Sequence, residues 1–103
     1  MELSGIGTAN YTLSCSATDF SNLSTASITP TMPCGLMSFT TRGQVSKPAT
    51  AFATSAVTID PSGTGSKYSW VRDYFFDFSL TIPYKYDPTG TYQSKVTYTA
   101  VIQ

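Results

Sequence analysis

The chain has 103 residues, with six Lys and Arg balanced by six Asp and Glu, two Cys and no His. This length supports one domain around a modest core; the balanced charge, without a run of either sign, excludes the footprint that nucleic acid or an anionic membrane surface demands. Two Cys without His are too few ligands for an ordinary zinc site, and 14 Ser and 17 Thr beside 14% aromatics and only 12% charged residues fit pleated, half-buried surfaces rather than helices.

In chain order, "MELSGIGTAN" has neither the basic start nor the apolar stretch of a secretory signal, so export implies a mature chain. Residues 1–9 read as a flexible start or as a strand that pairs in an assembly. "YTLSCSA" (11–17) places Tyr11, Leu13, Cys15 and Ala17 on one face and Thr12, Ser14 and Ser16 on the other, an early strand with a core face. Residues 20–41 carry no charge over a membrane-spanning length. They are rich in hydroxyl side chains and contain Pro30 and Pro33, which indicates a polar strand-and-loop region and no transmembrane segment. Cys15 and Cys34 suit either buried free thiols or a disulfide. The Ser/Thr-rich composition of an exported protein favours the disulfide, whose loop of about 20 residues contributes about 3 kcal/mol in the chain-entropy model.

"LMSFTT" (36–41) and "FATSAVTI" (52–59) read as strands separated by the turn-prone "TRGQVSKPA". "DPSGTGSKYSW" (60–70) and "DPTGTYQSKVTY" (87–98) both read as a turn feeding an aromatic strand, with Asp capping, Pro presetting φ and Gly closing the turn. From Tyr68 the alternation is strong: Tyr68, Trp70, Tyr74, Phe76, Phe78, Leu80 and Ile82 share a face, a run long enough to expect a bulge near Arg72–Asp73. The last segment, 91–102, reads as one uninterrupted strand completing the core, with Tyr92, Val96, Tyr98, Ala100 and Ile102 inward.

These elements predict an all-β, antiparallel Greek-key immunoglobulin-like β-sandwich, a single domain over 1–103, with Trp70, Phe76, Phe78, Leu80, Tyr92, Val96 and Tyr98 in the core. Both cysteines precede Trp70, so the antibody-type Cys, Trp, Cys order is absent.

Catalytic equipment is not visible. Without His, a Ser or Cys nucleophile has no ordinary general base. Asp73 and Asp77, four residues apart on one strand face, stand about 13 Å apart, beyond the roughly 5 to 9.5 Å that glycosidic chemistry uses. No cofactor and no metal are expected.

The end of the chain, "LTIPYKYDPTGTYQSKVTYTAVIQ", with Gly90 and Tyr92 followed by the alternating Val96, Tyr98, Ala100 and Ile102, resembles the closing strands of bacterial cell-surface β-sandwich modules. Chaperone–usher pilus subunits, spore-coat-U-like domains and WxL-type wall-binding domains end similarly. The resemblance covers about the last 25 residues and implies a secreted, extracellular or cell-surface module with a structural or adhesive role, pairing with neighbouring subunits by strand edges. Two further readings stand beside it. One is a carbohydrate-binding module that stacks a glycan on Phe75, Tyr84 or Tyr86; the other is a phage or virus structural domain.

Overall fold

The computed structural model describes residues 1–22, 32–83 and 91–103. Among the described residues the strands are β1 (Glu2–Ile6), β2 (Ala9–Ala17), β3 (Ser21–Asn22), β4 (Met37–Gly43), β5 (Lys47–Ala51), β6 (Val57–Gly65), β7 (Ser69–Leu80), β8 (Tyr92–Gln93) and β9 (Val96–Ile102), and a 3₁₀ turn spans Cys34–Leu36. They form a four-stranded sheet in the order β1-β7-β4-β5, a three-stranded sheet in the order β6-β2-β9, and a small β3-β8 ribbon. Every strand pair is antiparallel. The fold is all-β and sandwich-like, elongated to 53 × 23 × 18 Å.

The core lies between the two larger sheets. Tyr11, Leu13, Cys15 and Ala17 of β2 are buried as their alternation predicts, and they meet Phe39 of β4, Phe52, Ile59 of β6, and Trp70 and Tyr74 of β7. Phe20 and Met32 form a smaller cluster, joined by an isolated bridge between their backbones.

Several expectations are corrected. Asp60–Gly63 does not reverse the chain, because β6 continues through it to Gly65 with a bulge at Pro61–Ser62 opposite Thr12. The glycines serve close ring packing: a Cβ on Gly63 would collide with the Tyr11 ring, and one on Gly65 with the Trp70 indole. The irregularity expected near Arg72 falls elsewhere, as register shifts around Leu13 where β2 meets β6. β7 stays continuous and instead changes neighbour, with β1 along Ser69–Asp73 and β4 along Tyr74–Leu80. The region read as a turn contains β5, where Pro48 is tolerated because β5 is an edge strand. The strand expected over 52–59 begins only at Val57.

Residues 2–6, expected to be flexible or to pair with a neighbour, pair within the chain as β1. The final strand is divided at Ser94–Lys95, where the Ser94 hydroxyl donates to the Thr18 carbonyl (2.5 Å) and the Lys95 N–H donates to the Thr18 hydroxyl (2.8 Å). β9 is an edge strand paired with β2, so it lines the core only at its start: Val96 and Tyr98 pack against the core, while Ala100 and Ile102 are exposed. In the predicted core set Phe78 and Leu80 are exposed as well, since the smaller sheet does not reach over that end of β7.

The Cys15–Cys34 disulfide is absent; both residues are buried free thiols. Their surroundings differ. Cys15 faces the core near Lys47 and Tyr98, whereas Cys34 opens the 3₁₀ turn, where its N–H donates to Asp19 Oδ1 (2.9 Å) and its thiol also meets that carboxylate.

Candidate functional site

Polar chemistry in the interior concentrates on one chain of hydrogen bonds between the sheets. Tyr74, on β7, donates its hydroxyl proton to Asp60 Oδ2 on β6 at 2.8 Å, and the Tyr11 hydroxyl on β2 lies 2.5 Å from that of Tyr74. Because the Tyr74 proton goes to Asp60, Tyr11 is the donor to Tyr74. Asp60 Oδ1 accepts the Ser62 N–H at 3.1 Å, so both carboxylate oxygens are engaged. Burial, followed by these bonds to Tyr11 and Asp60, pushes the Tyr74 hydroxyl well above its ordinary range. Beside this chain, Tyr11 stacks on Trp70 at 5.8 Å between centroids, and the Trp70 indole N–H donates to the Gly7 carbonyl at 2.9 Å. The polar groups of this chain hold one another and tie β2, β6 and β7 together.

The thiols are equally quiet. Burial raises the Cys15 thiol, with Lys47 pulling weakly the other way, and burial together with Asp19 raises Cys34. Both remain protonated and poorly nucleophilic at neutral pH. Among the described residues no group of three or more His, Cys, Asp or Glu is placed to hold a metal ion. Asp77 receives Arg42 in an exposed ion pair at 3.2 Å.

Phe75, one of the aromatic residues considered for sugar stacking, is 45% exposed. The Arg42 guanidinium sits 5.0 Å over its ring, and Gly43, at a φ of +92°, leaves the space its ring edge occupies. Tyr84 and Tyr86 lie outside the described residues. Among the described residues a shallow hollow lies beside the β1–β7 pairing, lined by Ser4, Gly5, Ile6, Ser69, Trp70 and Val71, of which Ile6 and Val71 are exposed and Trp70 is buried.

The sequence pattern gave no warning of a third feature, which runs along two strand edges, one toward each end of the sandwich. Tyr74 exchanges both backbone hydrogen bonds with Met1 at 2.8 Å, so its N–H and C=O face β1. On the opposite side, the Asp73 carbonyl accepts from Gln44 (3.2 Å) and the Thr81 N–H donates to Leu36 (3.4 Å), so odd-numbered residues face β4. β1 and β4 therefore flank opposite edges of β7, and where β1 ends, the backbone groups of Phe76, Phe78 and Leu80 face an edge that no described strand covers. β9 repeats the situation. Its odd residues face β2, as the bonds from Gln103 N–H to the Asn10 carbonyl (2.8 Å) and from Thr18 N–H to the Lys95 carbonyl (2.9 Å) show. The backbone groups of Val96, Tyr98, Ala100 and Ile102 consequently face outward. Phe78, Leu80, Ile82, Val101 and Ile102 are all between 43% and 64% exposed.

No family model, curated protein or solved structure matches the chain.

Proposed function

We propose that this chain is a non-catalytic structural module of an extracellular or cell-surface assembly, held to its neighbours through sheet edges. The observation that carries the reading is the open edge of β9, whose outward backbone groups no described strand covers, together with exposed apolar side chains toward both ends of an elongated sandwich, Phe78, Leu80 and Ile82 at one and Val101 and Ile102 at the other. Such edges are templates for association, and exposed apolar clusters mark interaction surfaces. The Tyr11, Tyr74 and Asp60 groups tied to one another, and thiols kept protonated by burial, support the absence of catalysis. The placement of β2 between β6 and β9, and of β7 between β1 and β4, needs the long crossovers of a Greek key, which supports the finer immunoglobulin-like reading. Export rests on the hydroxyl-rich composition.

Light scattering across a wide concentration range, run beside a glycan array, tests the proposal. Reversible association without glycan binding is the expected result. A chain that stays monomeric and binds glycans through Phe75 would replace it with the carbohydrate-binding reading.

A further inference from the structure

We propose that Asn10 is an acceptor for an N-linked glycan, taken from a lipid-linked oligosaccharide while the chain is being exported. This rests on the export part of the reading above and goes beyond it by naming a modification site and its co-substrate.

Both asparagines of the chain open the tripeptide that an oligosaccharyl transferase reads, Asn, any residue but Pro, then Ser or Thr: Asn10-Tyr11-Thr12 and Asn22-Leu23-Ser24. In so hydroxyl-rich a chain the motif alone is common, and placement singles out the first copy; Leu23 and Ser24 of the second lie outside the described residues. Asn10 is exposed on the outward face of β2, next to the buried Tyr11 and across from the exposed Thr64 of β6. That face carries Thr12, Ser14 and Ser16 on β2 and Thr97 and Thr99 on β9, and neither strand contains a charged residue or a proline. Short hydroxyl side chains leave room for a bulky, solvated sugar, and the alternation of the strand points it away from the core.

The pairing order makes the tripeptide available. Among the described residues β2 pairs with β6 and β9, which begin at Val57 and Val96, so a chain exported N-terminus first delivers Asn10 before either partner arrives, with the segment still unpaired. In the finished fold the Thr12 hydroxyl donates to the Pro61 carbonyl at 3.4 Å and accepts from the Gln103 amide at 2.6 Å, which engages the group the transferase reads; transfer precedes that closure. In the step itself the Asn10 Nδ2 attacks the anomeric carbon of an oligosaccharide carried on a polyprenyl diphosphate. The C–N bond forms as the C–O bond to the diphosphate breaks, the polyprenyl diphosphate leaves with the electron pair, and the amide gives up one proton. The glycan then stands on the outer face of the β6-β2-β9 sheet and keeps that face from stacking on another copy, leaving association to the edges.

The full chain behind a secretion signal, expressed in eukaryotic cells, provides the test. Intact mass is read first, and then peptides are mapped after peptide N-glycosidase in heavy-oxygen water, which leaves a labelled Asp wherever an N-glycan was attached. Label at position 10 is expected, lost in Asn10→Gln and Thr12→Ala and kept in Thr12→Ser and Asn22→Gln. Asn10→Gln changes only an exposed side chain and Thr12→Ser keeps the hydroxyl, so a folding defect in Thr12→Ala does not decide the outcome. A secreted chain with Asn10 bare, or with sugar only on Ser or Thr, overturns the site and leaves the assembly reading in place. A glycosylated chain that stays monomeric by light scattering overturns the assembly reading and leaves the site; a wild type that the cells do not secrete overturns the export on which both rest.

Discussion

In the first half of β7, Trp70 and Tyr74 are 8% and 0% exposed, whereas in the second half Phe78 and Leu80, on the same face of the same strand, are 53% and 43% exposed. The alternation runs the length of the strand, interrupted only at Arg72, so it selects the face and leaves the cover to topology. At Trp70 and Tyr74 the cover is β2 and β6, with Tyr11 stacked on the indole and Asp60 accepting from Tyr74. Further along, Phe76 still meets Tyr98 at 5.3 Å and Phe78 still stacks on Phe52 at 5.9 Å, and at Leu80 the face is 43% exposed.

Truncation at the two ends should separate the halves most sharply. Trp70→Ala empties a site packed between Tyr11, Gly5 and Gly65, and a loss of about 3–5 kcal/mol is expected. Leu80→Ala should cost about 1 kcal/mol, because the residue is already nearly half in water. Urea unfolding of both variants measures the difference, and equal costs would mean that the far end of β7 is covered in solution.

The covered half also contains the polar tie. Tyr74→Phe leaves Asp60 Oδ2 and the Tyr11 hydroxyl without their partner in a buried place, for which about 1–3 kcal/mol is expected. The tie predicts an alkaline limit as well. Tyr74, Tyr98, Cys15 and Cys34 are all raised in the folded chain, so the unfolded chain ionises first. Their contribution is fully present at neutral pH, where both states are protonated, and is lost as pH climbs past about 8.5 for the thiols and about 10 for the tyrosines. Unfolding curves at pH 7, 9, 10 and 11 should show stability falling throughout, and falling less steeply above pH 10 in Tyr74→Phe. Parallel slopes would remove Tyr74 from the account.

The sequence made the covered half readable and hid the open one. β2, β4 and β7 follow period-two patterns whose inward residues are strongly apolar, so their faces could be read directly. Asp60–Gly65 was misread because Asp-Pro-Ser-Gly is turn chemistry when taken locally; the glycines are there to admit Tyr11 and Trp70, which arrive from other strands. β5 was hidden by Pro48 for a similar reason, since an edge strand can lack a donor that a central strand needs. The change of neighbour along β7, from β1 at Ser69–Asp73 to β4 at Tyr74–Leu80, is a matter of pairing that no local pattern contains.

A smaller effect probes the seam between the halves. Thr41 pairs with Phe76 at that seam, is 4% exposed, and has a hydroxyl without a hydrogen-bond partner. Thr41→Val keeps the shape and removes the unsatisfied oxygen, so stability should be unchanged or higher by about 1 kcal/mol. A loss on thermal unfolding would indicate that the hydroxyl is bonded in solution.

The smallest expected effect is none at all, and it decides between two accounts of the core. Were Cys15 and Cys34 bridged, reduction would release a loop of about 20 residues and cost about 3 kcal/mol. As free thiols they contribute only as small buried apolar groups, Cys15 at the β2 seam and Cys34 on the turn held by Asp19. Adding a reductant should therefore leave the unfolding midpoint unmoved, and thiol labelling should find two reactive groups in the unfolded chain and neither in the folded one. Cys15→Ala should cost about 1 kcal/mol with or without reductant, since it removes a sulfur from the covered half and no cross-link from the chain. A reductant-dependent midpoint in the wild type, abolished in Cys15→Ala, would restore the bridge and tie the turn before β4 to β2 covalently.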